Sequence, residues 1–194
     1  MLDEKKVKES KKRVEQWLTR GDIVKEKMGK FSAFFLKNAQ NSFDTAKLLY
    51  TISTRPELQK TTGFPDFNGF LWVINASYYF MFYMVRALLE SSGVKIKTDY
   101  SIHMVAYDSF VTYFYATGKI EKQFIEEFQE ASMEAQESLG KEKAKSLLEE
   151  YSLEREKRSR FTYEMGEIAI QNKAQTSLDR ARQFNETLRK MMDT

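Results

Sequence analysis

The chain has 194 residues, among them no cysteine, one histidine, two prolines and eight glycines. Without cysteine there is no disulfide, no thiolate metal site and no thiol nucleophile. A single imidazole, His103, excludes a multi-histidine metal centre, and any Ser–His chemistry would rest on that one ring. Gly63, Gly69 and Gly93 lie too far apart to form a phosphate-cradling loop. No Glu-x-x-His pair occurs, the spacing by which helical bundles hold paired metals. No cofactor is expected. There is also no strand-like alternation long enough for a sheet, and no internal repeat. With so little Pro and Gly beside abundant Glu, Lys, Leu, Phe and Ala, the composition predicts an all-α protein.

The longest apolar stretch is FLWVINASYYFMFYMVRALLE (70–90), in which 17 of 21 residues are apolar or aromatic, tyrosine included. Its apolar side chains fall all round a helical wheel, the mark of a helix buried among others or in lipid. Asn75, Ser77, three tyrosines and Arg86 interrupt it too often for a membrane span. It is read as the central helix of a soluble bundle, with no membrane partner. Within it Asn75, Tyr79, Tyr83, Arg86 and Glu90 follow at spacings of four, four, three and four, one line along a helix. Such a line suits a bundle edge, with Arg86 and Glu90 paired, or a polar seam facing a cleft or second subunit.

Around it the pattern predicts a charged helix over 3–28, interrupted near Gly21 and Asp22, and an amphipathic helix over 30–53. Residues 54–68, with both prolines, read as a loop ended by Asn68 as a helix cap. Gly93 closes the central helix, 94–101 is a polar connection, and an aromatic helix over 102–116 stops at Gly118. A Glu-rich helix over 121–152 is expected to bend at Gly140. A further helix over 159–170 precedes a break near Gln171, Asn172 and Thr176, and 177–192 closes the chain. The domain reading is an N-terminal helical appendage over 1–30, packed on the main body, and a helical bundle over 31–194. Met1 to Arg13 is a charged mixture without a signal peptide's apolar core, so a cytoplasmic location is expected.

The net charge of +3 hides a division, since residues 1–30 carry ten Lys/Arg against six Asp/Glu while 120–154 carry ten Glu against four Lys. The cluster REKRSR (155–160) follows, and Arg155, Arg158 and Arg160 make it the best local candidate for phosphate. Fifteen of the 27 aromatics fall between Phe64 and Tyr115. Tyr78, Tyr79, Phe82, Tyr83, Tyr107, Tyr113 and Tyr115 exceed what one small core needs. Tyrosine buries a ring while its hydroxyl stays wet, so these predict a homodimer interface.

The run ASYYFMFYMVRALLESSG (76–93), followed by a histidine at a helix start, resembles the HEPN domain family (higher eukaryotes and prokaryotes nucleotide-binding), in its single-domain prokaryotic branch. That branch has a YYAMFYAxRALL-type second helix, a later Arg-x-x-Ala-Asp-Tyr element and a final helix rich in Ala and Phe. Here RSRFTY (158–163) and LDRARQFNETL (178–188) take the latter two places, and the resemblance spans roughly 31–192. It implies an up-and-down four-helix HEPN-like bundle with an extra N-terminal helix. It further implies a small dimeric binding module that acts with a nucleotidyltransferase-type partner or binds nucleotide or RNA. Arg86, Glu90, His103, Arg155, Arg158, Arg160 and Tyr163 are its candidate ligand residues, with Arg158 and Tyr163 expected beside the central stripe.

HEPN ribonucleases of toxin–antitoxin type carry an arginine followed closely by a histidine. No histidine follows Arg155, Arg158 or Arg160 anywhere in the chain, and Phe161 and Thr162 replace the branch's Ala and Asp. His103 matches the branch histidine, but Met104 and Val105 follow in place of His-x-Gly. RNA cleavage needs a base near the 2′-hydroxyl, and arginine does not deprotonate to serve. The resemblance therefore points to a non-catalytic member. A ribonuclease with an altered site and a structural helical adaptor are the alternatives.

Overall fold

A helix that is apolar nearly all round needs neighbours on most of its sides, and the central helix has them on all but one line. The computed structural model describes residues 2–26, 29–151 and 160–192, with side chains described except at 139, 141–151 and 160–167. Among these residues seven α-helices are present: α1 (Glu4–Arg20), α2 (Ser32–Thr54), α3 (Pro56–Thr62), α4 (Phe70–Ser91), α5 (Ile102–Phe110), α6 (Lys122–Tyr151) and α7 (Arg160–Met192). Helix α4 packs against α2, α6 and α7 along its length and touches α5 as well. The chain is thus mostly helical. No helix of the described residues is long and apolar enough to cross a membrane.

Packing follows from residue size. Ala39 and Ala46 of α2 are fully buried, and small side chains there let α2 lie close against α4. On the other side Phe110, Phe128 and Phe184, from α5, α6 and α7, form a triangle with ring centroids 6.0–6.1 Å apart. These separations suit edge-to-face and offset contacts. Between α6 and α7 a polar seam adds Arg180 to Glu134 at 2.9 Å.

Several local expectations are corrected. Two short strands, β1 (Ile23–Lys25) and β2 (Val94–Ile96), pair antiparallel with Ile23 opposite Ile96, both buried. Three-residue strands are too short to show alternation in the sequence. Residues 56–62, read as loop, form α3: Pro56 occupies its first turn and Gly63, at φ 81°, its C-terminal cap. Proline is preorganised for that first turn, which the loop reading overlooked. Gly140 does not break α6, nor do Gln171, Asn172 and Thr176 break α7. The Thr176 and Ser177 hydroxyls donate to the carbonyls of Asn172 and Lys173 one turn back, so they work within the helix. The aromatic helix runs α-helical only to Phe110 and then widens into a π-helical turn, Val111–Tyr115, closed by Ala116 N–H donating to Val111 at 2.8 Å.

Helix α1 is capped by Asp3, whose carboxylate accepts from Lys6 N–H at 2.8 Å. Its Val14 and Trp17, with Leu2 and Ile23, enter the same core cluster as α4. Through these residues the N-terminal segment contributes to that core rather than only packing on it. A buried charge fixes the contact. Asp108 of α5 is fully enclosed, accepting from Arg13 Nε at 2.6 Å, Arg13 Nη2 at 2.8 Å and Ser10 Oγ at 2.7 Å.

Candidate functional site, an aromatic strip and pocket at His103

Helix α4 leaves one line uncovered. Apart from Leu71 and Ser91 at its ends, its half-buried or exposed positions are Trp72, Ala76, Tyr79 and Tyr83, spaced by four, three and four, and Arg86 is the next step along the line. From there rings touch in sequence across three elements. Phe34 lies 5.4 Å from Phe35, Phe35 stacks on Tyr83 at 6.4 Å, Tyr83 lies 6.2 Å from Tyr79, and Tyr79 is 5.9 Å from His103. Phe34 is 58% exposed and Tyr79 40%, so the strip reaches solvent.

Arg86 and Glu90 diverge beneath it, and the ion pair expected between them is not formed. The Arg86 guanidinium sits 4.5 Å over the Phe35 ring and 5.9 Å from that of Phe82. Burial lowers its pKa, and the nearby Glu90 charge opposes that fall. Attraction to a ring face holds a cation where water is scarce. Glu90 instead accepts from the backbone N–H of Phe31 at 3.3 Å. Gly29 lies so close that a Cβ there would stand 1.9 Å from the Glu90 carbonyl oxygen.

His103, in the first turn of α5, is half-buried with its ring 4.4 Å from Phe82. Its Nδ1 lies 2.7 Å from the Tyr78 hydroxyl. Burial, and then the Arg86 charge, lower the imidazole pKa, while burial pushes the Tyr78 phenol up to about 12. Both groups are therefore neutral at pH 7. A neutral phenol both donates and accepts, so this contact is made with the ring proton on either nitrogen, and the neutral imidazole keeps one nitrogen that accepts and one that donates.

Behind His103 a pocket of about 250 Å³ opens between α4, α5 and α6. Its inner wall is Tyr78, Phe128 and Tyr107, with Phe128 stacked on Tyr78 at 5.9 Å and on Tyr107 at 6.5 Å. The Tyr107 hydroxyl donates to Gln129 Oε1 at 3.2 Å. Burial raises the Tyr107 pKa to about 12, so this donor also stays protonated.

The structure brings together Arg86, Glu90 and His103 of the expected ligand residues. Arg155, Arg158, Arg160 and Tyr163, and the expected approach of Arg158 and Tyr163 to the α4 line, lie outside the described residues or side chains. Of the expected interface aromatics, Tyr78 and Phe82 are buried in the chain's own core. Tyr83, Tyr107, Tyr113 and Tyr115 are half-buried, and Tyr79 is exposed. Sequence reasoning missed Gln129 and Ser132, because polar residues on a Glu-rich helix carry no signal of facing inward. It also missed Asp108, whose isolation within IHMVAYDSFVTYFYA was a usable sign. No known protein family, curated protein or solved structure matches this chain.

Proposed function

We propose that the chain is a non-catalytic helical binding module with a HEPN-like bundle that forms a homodimer and recognises nucleotide or RNA through the strip that ends at His103, the second copy and the RNA competing for its rings. The observation that carries this reading is the ring-to-ring run Phe34–Phe35–Tyr83–Tyr79–His103 with Arg86 seated under it. Exposed rings stack on unpaired bases, each worth about 1–3 kcal/mol, and a cation alongside favours the phosphates. The non-catalytic half is supported by the sequence, in which no histidine follows Arg155, Arg158 or Arg160. Docking on a nucleotidyltransferase-type partner is the second reading. The exposed Phe34, Met104 and Met133 favour it, because they add apolar area that a polyanion does not require.

Fluorescent single-stranded RNA titrated at low and physiological salt tests the first reading. Weak, salt-sensitive binding that drops on Tyr79→Ala is expected, and the RNA should stay intact on a gel. Binding indifferent to Tyr79→Ala would remove the strip from the site. Cleavage abolished by His103→Ala would make the protein a nuclease. Capture of a nucleotidyltransferase through a Phe34-dependent contact, without RNA binding, would favour the second reading.

A further inference from the structure

The pocket behind His103 has a chemistry of its own. Nine residues line it, and none is Asp, Glu, Lys or Arg. Its imidazole and both phenols are neutral at pH 7, as argued above. An anionic or cationic ligand would be stripped of water there and meet no opposite charge, a costly transfer. Phe128 is held between Tyr78 and Tyr107, at interplanar angles of 27° and 22°, and is only 1% exposed, so the apolar surface left to a guest is mainly that of Met104, Met133 and the half-buried Tyr107.

Polar groups from two helices line it. Gln129 accepts from the Tyr107 hydroxyl through its carbonyl oxygen, which leaves its NH₂ donors for another partner. Ser132, whose hydroxyl faces that of Tyr78, lines the pocket one helical turn further along α6. The His103 ring of α5 adds the nitrogen that does not meet Tyr78. At the mouth stand Met104 and Met133, 46% and 55% exposed, flexible thioethers that adapt to what enters. A volume of about 250 Å³ lies below the roughly 300–1,000 Å³ usual for drug-sized ligands, so the guest is small.

We infer that this pocket binds a small uncharged guest of one or two rings, its apolar part against Met104, Met133 and Tyr107 and its polar group toward Gln129, Ser132 and His103. The site goes beyond the strip and stands independently of it. A protein that ignores RNA can still fill the pocket, and one that binds RNA can leave it empty.

The test uses the full chain labelled with ¹³C at its methionine methyls, with Met104→Leu and Met133→Leu assigning the two mouth signals. The probe is 2-quinolinone, a neutral bicyclic lactam. Its controls are 1-methyl-2-quinolinone, with the N–H blocked, and quinoline-2-carboxylate, which is charged. Saturable shifts of Met104 and Met133 are expected with 2-quinolinone, at least about tenfold weaker binding with the carboxylate, and no saturable shift for Ser132→Phe, which fills the space. Should Ser132→Phe lose its helical circular dichroism, Gln129→Leu takes its place, with an expected loss of about tenfold, as for one unmade hydrogen bond. The blocked lactam reads the edge: retained binding means the guest uses its carbonyl alone, and tenfold loss means its N–H is paired too. Either agrees with the inference. It is overturned if 2-quinolinone leaves both methyls unmoved to its solubility limit, if the carboxylate binds as tightly, or if neither pocket variant weakens binding.

Discussion

Asp108 has no exposure at all, while the Arg13 side chain that neutralises it keeps 37% of its surface in water. The two partners are therefore unequal to lose. Arg13→Met strands a buried carboxylate with only the Ser10 hydroxyl, and breaking a buried pair from this side costs about 3–5 kcal/mol. Asp108→Leu leaves an arginine free to turn outward, so the loss should be nearer 1–3 kcal/mol. Urea melts of both variants and the double variant check this, with the double expected to cost less than the sum of the singles. The lone imidazole allows an equally direct test. His103 has its pKa lowered from 6.5 in the fold, first by burial and then by Arg86. The unfolded chain therefore binds more protons between the two values, and stability rises with pH through that window. Its full contribution is present above 6.5 and is lost as pH falls below it, at no more than about 1.4 kcal/mol per pH unit. Glu127, raised from 4.5 chiefly by burial, acts in the opposite sense at lower pH. Subtracting the His103→Gln profile removes that common background. A slope between pH 5.5 and 6.5 that persists in His103→Gln would show the imidazole is not its source.

Among the elements, the short ribbon is where single glycines decide the outcome. Gly93 has φ 76°, and a Cβ there would stand 2.2 Å from the Glu26 carbonyl oxygen, beside the Glu26 N–H bond to the Gly93 carbonyl at 2.9 Å. Gly21 has nearly the same φ, 78°, but nothing within 4 Å of that position. Gly21→Ala should cost only the left-handed strain, about 1–2 kcal/mol. Gly93→Ala must also push the strand ends apart, so it should cost clearly more and speed amide exchange at Ile23–Lys25. Equal losses would mean the ribbon yields freely. Sequence periodicity reached the long elements because burial repeats every 3.6 residues along them: α2 and α4 were legible from Phe35, Ala39, Phe43 and Ala46, and from the 70–90 run. It failed for β1 and β2, whose three residues hold only one and a half periods of alternation, and for Gly140. A mid-helix glycine costs about 1 kcal/mol relative to alanine, too little to end a helix of good formers. Arg86, Glu90 and His103 were legible as an unusual set of polar residues, but their partners came from distant stretches. Phe35, Phe31 and Tyr78 are set beside them by tertiary packing, which no local spacing encodes.

On the whole molecule, four of the exposed large apolar residues, Phe34, Tyr79, Met104 and Met133, each at least 40% exposed, belong to the strip and the pocket that meet at His103. Contiguous patches of this kind are uncommon on monomers and usually meet another surface. A second copy is the expected cover in the absence of RNA, the two competing for the same rings: rings at an interface bury large areas at small entropic cost, and a two-fold contact places each strip against its equal. Tyr78 and Phe82 are occupied within the chain, so the contact should depend on Phe34 and Tyr79. At tens of micromolar, light scattering should give twice the 22.8 kDa chain mass. The double variant Phe34→Glu/Tyr79→Glu should give the single mass with unchanged helical circular dichroism, because both side chains are surface-exposed and a charge on each would be buried unpaired in the dimer. A monomeric parent protein at that concentration ends the dimer reading, and a dimer that survives the double substitution moves the interface to another face.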